Sequence, residues 1–477
     1  MKSVSLKEHF SLLLLLSLTV MLVMAGESML TAALPEIEHE FSVPGIYESW
    51  ILPIVLLVGA AASPFVGTAG DMYGHKRLLV ICLLVYCAGL FGGVFAPDIW
   101  VLLFSRALQG AGIAAFPLGY AIIKEQLPET MADTGIGVIS AMYGAGTFIG
   151  VITGSFITGL FSWRVTYMVL IPASCILVLL VWKYVKNDDK VITRGSLDYA
   201  GLISLIFFLF LFLWFFSLPP GERFSPFEMF VLACAVAGMS VFVFVERRAP
   251  SPLADFKLMK MRPVMVFMVI GFLTIIAFFT LLQMMPFIIR LPSGLGLSAA
   301  MVGLILIPGA LCDMIAGPLT GRMIPVTGCR PPCILGSLLL LGAGALLYLS
   351  PLSIITLVIA WTLFSFGMSM VATADLIGVM DYVSEDRTAE ATGIIQSMQT
   401  LGGMTGPIIT GTILATSGVS MMYQGELWEV PETGTYYLVF LTVILVSSVL
   451  LLISWLFVKD QPEKYVRDET ESVKGFI

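Results

Sequence analysis

The chain is a succession of long apolar runs separated by short polar stretches. In lipid a helix must satisfy its own backbone, and about 20 mainly apolar residues are needed to cross the hydrocarbon. Runs of that kind, bounded by charges, proline and glycine, predict fourteen spans. They lie at about 10–34, 49–70, 77–95, 100–123, 134–159, 166–185, 197–218, 226–245, 264–289, 298–321, 331–349, 353–380, 388–415 and 435–458. The expected fold class is an all-α integral membrane protein. The first run follows Lys2 and Lys7 but continues to about Pro35. That exceeds the roughly 7–15 apolar residues of a secretory signal, so it predicts a first span.

Charge then orients the spans, because short cytoplasmic loops are enriched in Lys and Arg. With both termini inside, 21 of the 25 basic residues fall on the inner side. Three (Arg164, Arg223 and Arg290) fall outside, and Arg106 lies within a span. A missed helix would scramble this alternation, so the split supports an even count. The expected location is the plasma membrane, with cytoplasmic termini.

Composition strengthens the membrane reading. Of 477 residues 58% are hydrophobic and only 12% charged, with a mean hydropathy of +0.97. An average soluble domain is about 25% charged, so this chain cannot cover itself with polar surface. The net charge of −7 argues against a nucleic-acid partner. The seven cysteines lie in or beside apolar runs without C-x-x-C spacing, which predicts buried small hydrophobes and no metal or redox cofactor.

An internal repeat divides the chain. Pro64, Gly67, Gly74 and Lys76 recur as Pro318, Gly321, Gly328 and Arg330, all 254 residues later, and Gly146 and Gly150 recur as Gly402 and Gly406, 256 residues later. The simplest organisation is two pseudo-symmetric six-helix bundles, 1–190 and 264–460, with two inserted spans at 191–248. A connector at 249–263 and a tail at 461–477 are both expected in the cytoplasm. Repeated halves about a midplane site are the physical basis of alternating access.

Between the second and third predicted spans the chain reads Gly67-Thr-Ala-Gly-Asp71-Met-Tyr-Gly74-His-Lys76-Arg77. Gly67 allows close helix contact, Gly74 permits an unusual backbone angle, and an acid faces a basic pair. The segment resembles the signature loop of the major facilitator superfamily, with Met72 and His75 replacing two of its basic or polar positions. Arg106-Ala-Leu-Gln109-Gly110 in span four resembles the superfamily's buried arginine motif. Gly137, Gly146, Gly150 and Gly154 in span five resemble its antiporter motif, although Val151 stands for the usual proline and Ser155 for the last glycine; the second half keeps Gly406-Pro407. Ser162-Trp163-Arg164 with Pro172, and Ala33-Leu34-Pro35, are similar to the fourteen-span drug:proton antiporters of the EmrB/QacA type. The resemblance implies that Gly67, Asp71, Gly74, Lys76 and Arg77 control switching between inward- and outward-open states. It also implies that spans one, four and twelve line the cavity.

Charges inside spans cost at least about 2.5–3.5 kcal/mol on insertion scales, so each needs a reason. Four qualify: Glu27, Arg106, Asp313 and Asp375. Glu27 and Arg106 fall at similar depth in the outer half of the membrane. Burial disfavours the charged form of a carboxyl. Glu27 and Asp375 are therefore expected to hold a proton or cation and to release it when a cationic substrate or a swing of Arg106 favours the anion. The alternative is a structural ion pair. Glu27 stands one position after the acid this branch usually carries, where the chain has Gly26, and one residue turns a side chain by about 100°. Asp313, at the interface between halves in the resembled family, is a candidate for coupling or gating. Gly146, Gly150, Gly154, Gly402, Gly406 and Pro407 are expected to pack spans five and thirteen closely.

These features predict a proton-coupled exporter of hydrophobic or cationic small molecules. The runner-up is a narrow-specificity metabolite carrier or facilitator. A membrane enzyme or receptor fits less well. No Walker loop or HExxH is present, and the three histidines (His9, His39 and His75) lie outside the predicted spans.

Overall fold

The computed structural model describes all residues except 1–5, 43–49, 128, 187–198, 218–224, 249–258, 351, 381, 383–387, 424–425 and 459–477. Most of the connector and the whole tail expected from the sequence therefore lie outside the described residues. The chain divides into two compact units: residues 1–253 with 298–303, and residues 254–297 with 304–477.

The first unit begins with α1 (Leu6–Ser28), a single 3-10 turn (Thr31–Ala33) and α2 (Leu34–Phe41). It continues through α3 (Pro53–Tyr73), α4 (His75–Val94), α5 (Ile99–Ala114) and α6 (Phe116–Gln126). Next come α7 (Glu129–Leu160), α8 (Arg164–Tyr184), α9 (Tyr199–Ser217) and α10 (Pro226–Glu246). The second unit holds α11 (Arg262–Arg290), most of α12 (Ala299–Thr327), α13 (Arg330–Leu349), α14 (Ile354–Met380), α15 (Thr388–Leu414) and α16 (Thr433–Phe457).

Local chemistry explains many of the boundaries. Proline opens α2, α3, α6, α10, α11 and α13, where its missing N–H is no loss. Asp98 caps α5 by accepting from the Val101 N–H at 2.8 Å. Among the described residues ten helices are long and apolar enough to cross a membrane, and shorter apolar helices occupy 53–63, 144–160 and 199–215. Large apolar side chains such as Phe230, Leu349 and Ile355 stand exposed, as lipid-facing residues do.

Three features depart from the sequence expectation. Span one is broken between α1 and α2, and span four between α5 and α6. Pro35 and Pro117 sit at the start of the second piece in each case. The segment after α15 also contains strands β1 (Gly418–Tyr423) and β2 (Glu426–Pro431), paired antiparallel from Gly418↔Pro431 to Tyr423↔Glu426. Only Gln424 and Gly425 separate the strands in sequence, the spacing of a tight hairpin.

The repeat is visible in the packing. In the first unit α1 packs on α7 and α8, and α4 packs on α5 and α8. In the second, α11 packs on α15 and α16, and α13 on α14 and α16. Gly74 (φ 98°) and Gly328 (φ 76°) each end a helix in the left-handed region, where a side chain is strained.

The α1–α7 and α11–α15 contacts are glycine ladders. An added β-carbon at Gly146 would lie 2.6 Å from the Met21 carbonyl oxygen, and those at Gly150 and Gly154 would run into the Ala25 and Met29 carbonyls. In the second unit the corresponding contacts are Gly402 on the Phe272 carbonyl at 2.6 Å and Gly406 on that of Ile276 at 2.8 Å. The third rung there is Thr410, whose hydroxyl donates to the Thr280 carbonyl at 2.9 Å. Both partner series step by four residues, one helical turn, and Met21, Ala25 and Met29 precede Phe272, Ile276 and Thr280 by 251 each.

Gly150→Ala places its methyl group against the Ala25 backbone. Overpacking of this kind typically costs about 1–3 kcal/mol. A clear fall in the thermal unfolding midpoint of the detergent-purified protein is expected. Gly342→Ala, where nothing lies within 4 Å of the added carbon, is expected to leave the midpoint unchanged or raise it slightly. Equal midpoints for the two variants would contradict the ladder.

Candidate functional site

The break in span one creates the site. The last carbonyls of a helix have no partner within it, and in an apolar medium each must find one. At the end of α1 the Ala25 carbonyl accepts from the Met29 N–H at 2.9 Å, and the Ser28 carbonyl from the Thr31 hydroxyl at 2.7 Å. The two between them are met by Arg106 from α5. Its Nη1 donates to the Gly26 carbonyl at 3.0 Å and its Nη2 to the Glu27 carbonyl at 2.6 Å. Its Nε donates to the Ile51 carbonyl at 2.9 Å, just before α3, and Nη1 also donates to Gln109 Oε1 at 2.9 Å. Gln109 Nε2 in turn donates to the Gly89 carbonyl of α4 at 3.2 Å. One fully buried guanidinium thus ties α1, α3 and α5 together, and Gln109 carries the network to α4.

Glu27 and Arg106 are brought together, but not as a side-chain ion pair. Arg106 takes the main-chain oxygen of Glu27, whereas the Glu27 carboxylate is 2% exposed and makes no hydrogen bond among the described residues. Two tyrosines that the sequence reading did not single out complete the cluster. Tyr86 of α4 is buried within electrostatic reach of Arg106 and Glu27, and the buried Tyr167 of α8 faces Arg106 and Gln109. Their only sequence signal is a phenol in an otherwise apolar run.

The second unit carries the other two acids. Asp375 of α14 is fully buried; its Oδ2 accepts from Gln399 Nε2 of α15 at 3.3 Å, and its Oδ1 makes no hydrogen bond among the described residues. An added β-carbon at Gly271 of α11 would lie 2.5 Å from that Oδ2. Asp313, half-buried on α12, is apart from this pair; its main-chain oxygen accepts from the Ser369 hydroxyl at 3.1 Å.

Helices α5 and α14 begin 255 residues apart, at Ile99 and Ile354, so Trp361 stands at the position of Arg106 and Phe364 at that of Gln109. Both are buried and stack with ring planes 15° apart. The repeat keeps the helices here and exchanges a polar anchor for an aromatic one.

The signature loop turns at Gly74, whose N–H donates to the Gly70 carbonyl at 2.8 Å. His75 Nδ1 then lies 3.0 Å from Glu125 Oε1 at the end of α6. Lys76 is half-buried and Arg77 exposed, and the Asp71 side chain lies outside the described residues. At the other end of this unit the Trp163-Arg164 element holds α2 in place. Trp163 Nε1 donates to Glu40 Oε2 at 2.6 Å, Arg164 pairs with Glu40 Oε1, and Arg164 Nη2 donates to the Ala96 carbonyl at 3.0 Å. The described residues contain no group of three or more His, Cys, Asp or Glu side chains that could hold a metal.

Ten helices long and apolar enough to cross a membrane among the described residues, with charged side chains buried inside them, are the architecture of a multi-pass membrane protein. The profile of the Major Facilitator Superfamily matches residues 16–311 and 288–476. The chain belongs to that family: it is a multi-pass membrane transporter with a small-molecule substrate, and not an enzyme. It is 27% identical over 406 residues to the uncharacterized MFS-type transporter YwoD of Bacillus subtilis, covering 81% of this chain and 86% of that one. It is 25% identical to the multidrug efflux pump LfrA of Mycolicibacterium smegmatis, covering 84% and 80%. It is also 25% identical to the multidrug resistance protein Stp of Mycobacterium tuberculosis, covering 80% and 72%. Among solved structures, a bacterial homologue of the human lysosomal transporter Spinster superposes with a TM-score of 0.66 at 16% identity, covering 96% of this chain and 99% of that one. The xylose transporter XylE of E. coli gives 0.62 at 13% identity, covering 95% and 97%.

Arg106→Lys retains charge but replaces a planar fork with one ammonium, which cannot serve three carbonyls and an amide at these positions. Leaving buried acceptors unmet costs about 1–3 kcal/mol each, so a combined loss above about 3 kcal/mol is expected. Size-exclusion profiles and thermal midpoints in detergent measure it; a midpoint unchanged in both Arg106→Lys and Arg106→Ala would remove Arg106 from the fold.

Proposed function

We propose that the chain is a fourteen-span, proton-coupled exporter of hydrophobic or cationic small molecules, of the drug:proton antiporter branch, working by alternating access. The observation that carries this reading is Glu27, a fully enclosed carboxylate with no hydrogen bond among the described residues, beside an arginine already occupied by main-chain oxygens. A carboxyl held in that way has two accessible states, proton-bound and substrate-facing, with little else competing for it. Asp375 repeats the arrangement in the second unit with a single amide as partner. Similarity to a multidrug efflux pump, LfrA, and a multidrug resistance protein, Stp, supports a drug-like substrate class.

In this reading Glu27 and Asp375 carry the coupling ion, and Arg106 fixes the backbone from which Glu27 projects. Asp313 serves coupling or gating. Gly67, Asp71, Gly74, Lys76 and Arg77 form the gating loop on the cytoplasmic side, with both termini in the cytoplasm. The glycines of α7 and α15, with Pro407, form the close contacts on which each bundle moves as a body. The two six-helix bundles are residues 1–190 and 264–460, with inserted helices at 191–248, a connector at 249–263 and a tail at 461–477.

The test is made in proteoliposomes with an internal pH dye and an imposed pH gradient. Lipophilic cations such as ethidium and tetraphenylphosphonium are expected to collapse the gradient in a protein-dependent way. Glu27→Gln is expected to abolish that proton movement while leaving the size-exclusion profile unchanged, and Asp375→Asn to reduce it. Normal substrate-driven proton flux in Glu27→Gln would overturn the assignment of Glu27. No flux across a broad panel by folded wild-type protein would favour a narrow-specificity metabolite carrier.

A further inference from the structure

Position 26 is the place where a side chain is missing from the last turn of α1, and the structure shows what stands there instead. A β-carbon built on Gly26 would run into the hydroxyl of Tyr86, and would lie 3.3 Å from Tyr86 Cζ and 3.2 Å from Leu170 Cδ1. The phenol is held from its other side as well. A β-carbon at Gly112 of α5 would lie 2.9 Å from Tyr86 Cδ2 and 2.9 Å from Val23 Cγ1. The ring, carried by α4, is therefore wedged between α1 and α5 at two glycines and cannot retreat without unpacking both helices.

Tyr86 is 1% exposed, and its hydroxyl has no hydrogen-bond partner among the described residues. A buried phenol usually finds one. The residue next to the one it touches is Glu27, whose two carboxylate oxygens are also without partners. A donor and an acceptor, each without a partner among the described residues, thus stand beside the same turn of α1, within electrostatic reach of each other. The charged or titratable groups around Glu27 are few. Arg106 comes from α5 and is bonded to main-chain oxygens, while Tyr86 comes from α4. Tyr167 of α8 faces Arg106 and Gln109, and α7 meets this stretch of α1 with Gly146, Gly150 and the main-chain oxygen of Thr147.

We propose that Tyr86 is the positioning residue of this site. Its hydroxyl occupies the volume of a side chain at position 26, confines the carboxyl of this turn to Glu27, and donates a hydrogen bond to that carboxylate when Glu27 is ionised. The hydrogen-bonding role rests on the reading of Glu27 as a proton-carrying group; the steric role does not.

Both halves are testable on the full chain. N,N′-dicyclohexylcarbodiimide reacts with protonated carboxyl groups, so its labelling of Glu27 in proteoliposomes, read by mass spectrometry across pH, follows the protonated fraction without any substrate. A donated hydrogen bond favours the anion. Tyr86→Phe removes the donor and keeps the ring, so the protonated form should persist to higher pH, with the labelling midpoint moving up by about one unit. An unmoved midpoint overturns the hydrogen bond and leaves the proton-carrying role of Glu27 standing. No labelling of Glu27 at any pH in folded wild-type protein overturns that role, and with it the hydrogen bond. The steric half is read from stability. Gly26→Ala should lower the thermal midpoint, and adding Tyr86→Phe should restore much of the loss because the colliding atom is gone. Failure of the double variant to recover any of it overturns the wedge.

Discussion

Everything in the first unit depends on what happens to main-chain carbonyls when a helix stops inside an apolar medium. Water is not at hand to take them, so each must be met by protein. Span one stops at Ser28 and resumes at Leu34, and the four carbonyls around the stop are all accounted for. Two are met within the segment itself and two by Arg106. Arg106 belongs to α5, Ile51 precedes α3, and Gln109 reaches α4, so satisfying one helix end joins four elements. A charge buried for this purpose is partly offset by the negative end of the α1 dipole, and its hydrogen bonds go to carbonyls and an amide and not to a carboxylate. That leaves the carboxylate of Glu27 uncommitted, which is the property the proposed coupling requires.

Much of this organisation is legible in the sequence. The positions of the apolar runs follow from hydropathy, since the medium demands an unbroken apolar length of fixed size. The repeat is legible because two glycines with left-handed backbone, Gly74 and Gly328, admit few other residues and so persist at a fixed offset. The same holds for Gly146, Gly150, Gly402 and Gly406, each facing a carbonyl at a distance that leaves no room for a methyl group. Arg106 and Glu27 stand out because charges in apolar runs are rare.

What the sequence hides is direction and partner. The breaks in spans one and four leave the apolar run intact, so hydropathy passes over them. An arginine beside an acid suggests an ion pair, yet Arg106 donates to the peptide group of Glu27, and no pattern of residue types distinguishes a carboxylate from a carbonyl as its target. Tyr86 is hidden for a different reason. A phenol among apolar residues is ordinary, and its weight comes only from where its hydroxyl ends, against Gly26. The hairpin of β1 and β2 is short, β1 mixing glycine and serine with apolar residues and β2 carrying two glutamates, so neither a clean two-residue alternation nor an apolar run marks it.

The two units have diverged at the position that matters most. The repeat preserves the start of the helix, so Trp361 and Phe364 of α14 replace Arg106 and Gln109 of α5. The reason lies in the partner helix. Helix α11 runs on from Arg262 to Arg290, and Pro286 near its end frees only the Leu282 carbonyl, a turn beyond Ala277 and Phe278, the equivalents of Gly26 and Glu27, so at that depth it offers no freed carbonyls for an arginine to meet. A guanidinium there would be a buried charge without acceptors, at a cost of several kcal/mol. An aromatic pair fills the same volume by stacking, and Phe278 of α11 packs on Trp361 with ring centroids 5.8 Å apart. The acid of this unit is correspondingly elsewhere, on α14 itself at Asp375, against Gly271 and Gln399. An intact helix and an aromatic anchor therefore go together in one half, as a broken helix and an arginine do in the other. The break in span one is what gives the first unit a charged anchor, Arg106, and beside it the free carboxylate of Glu27.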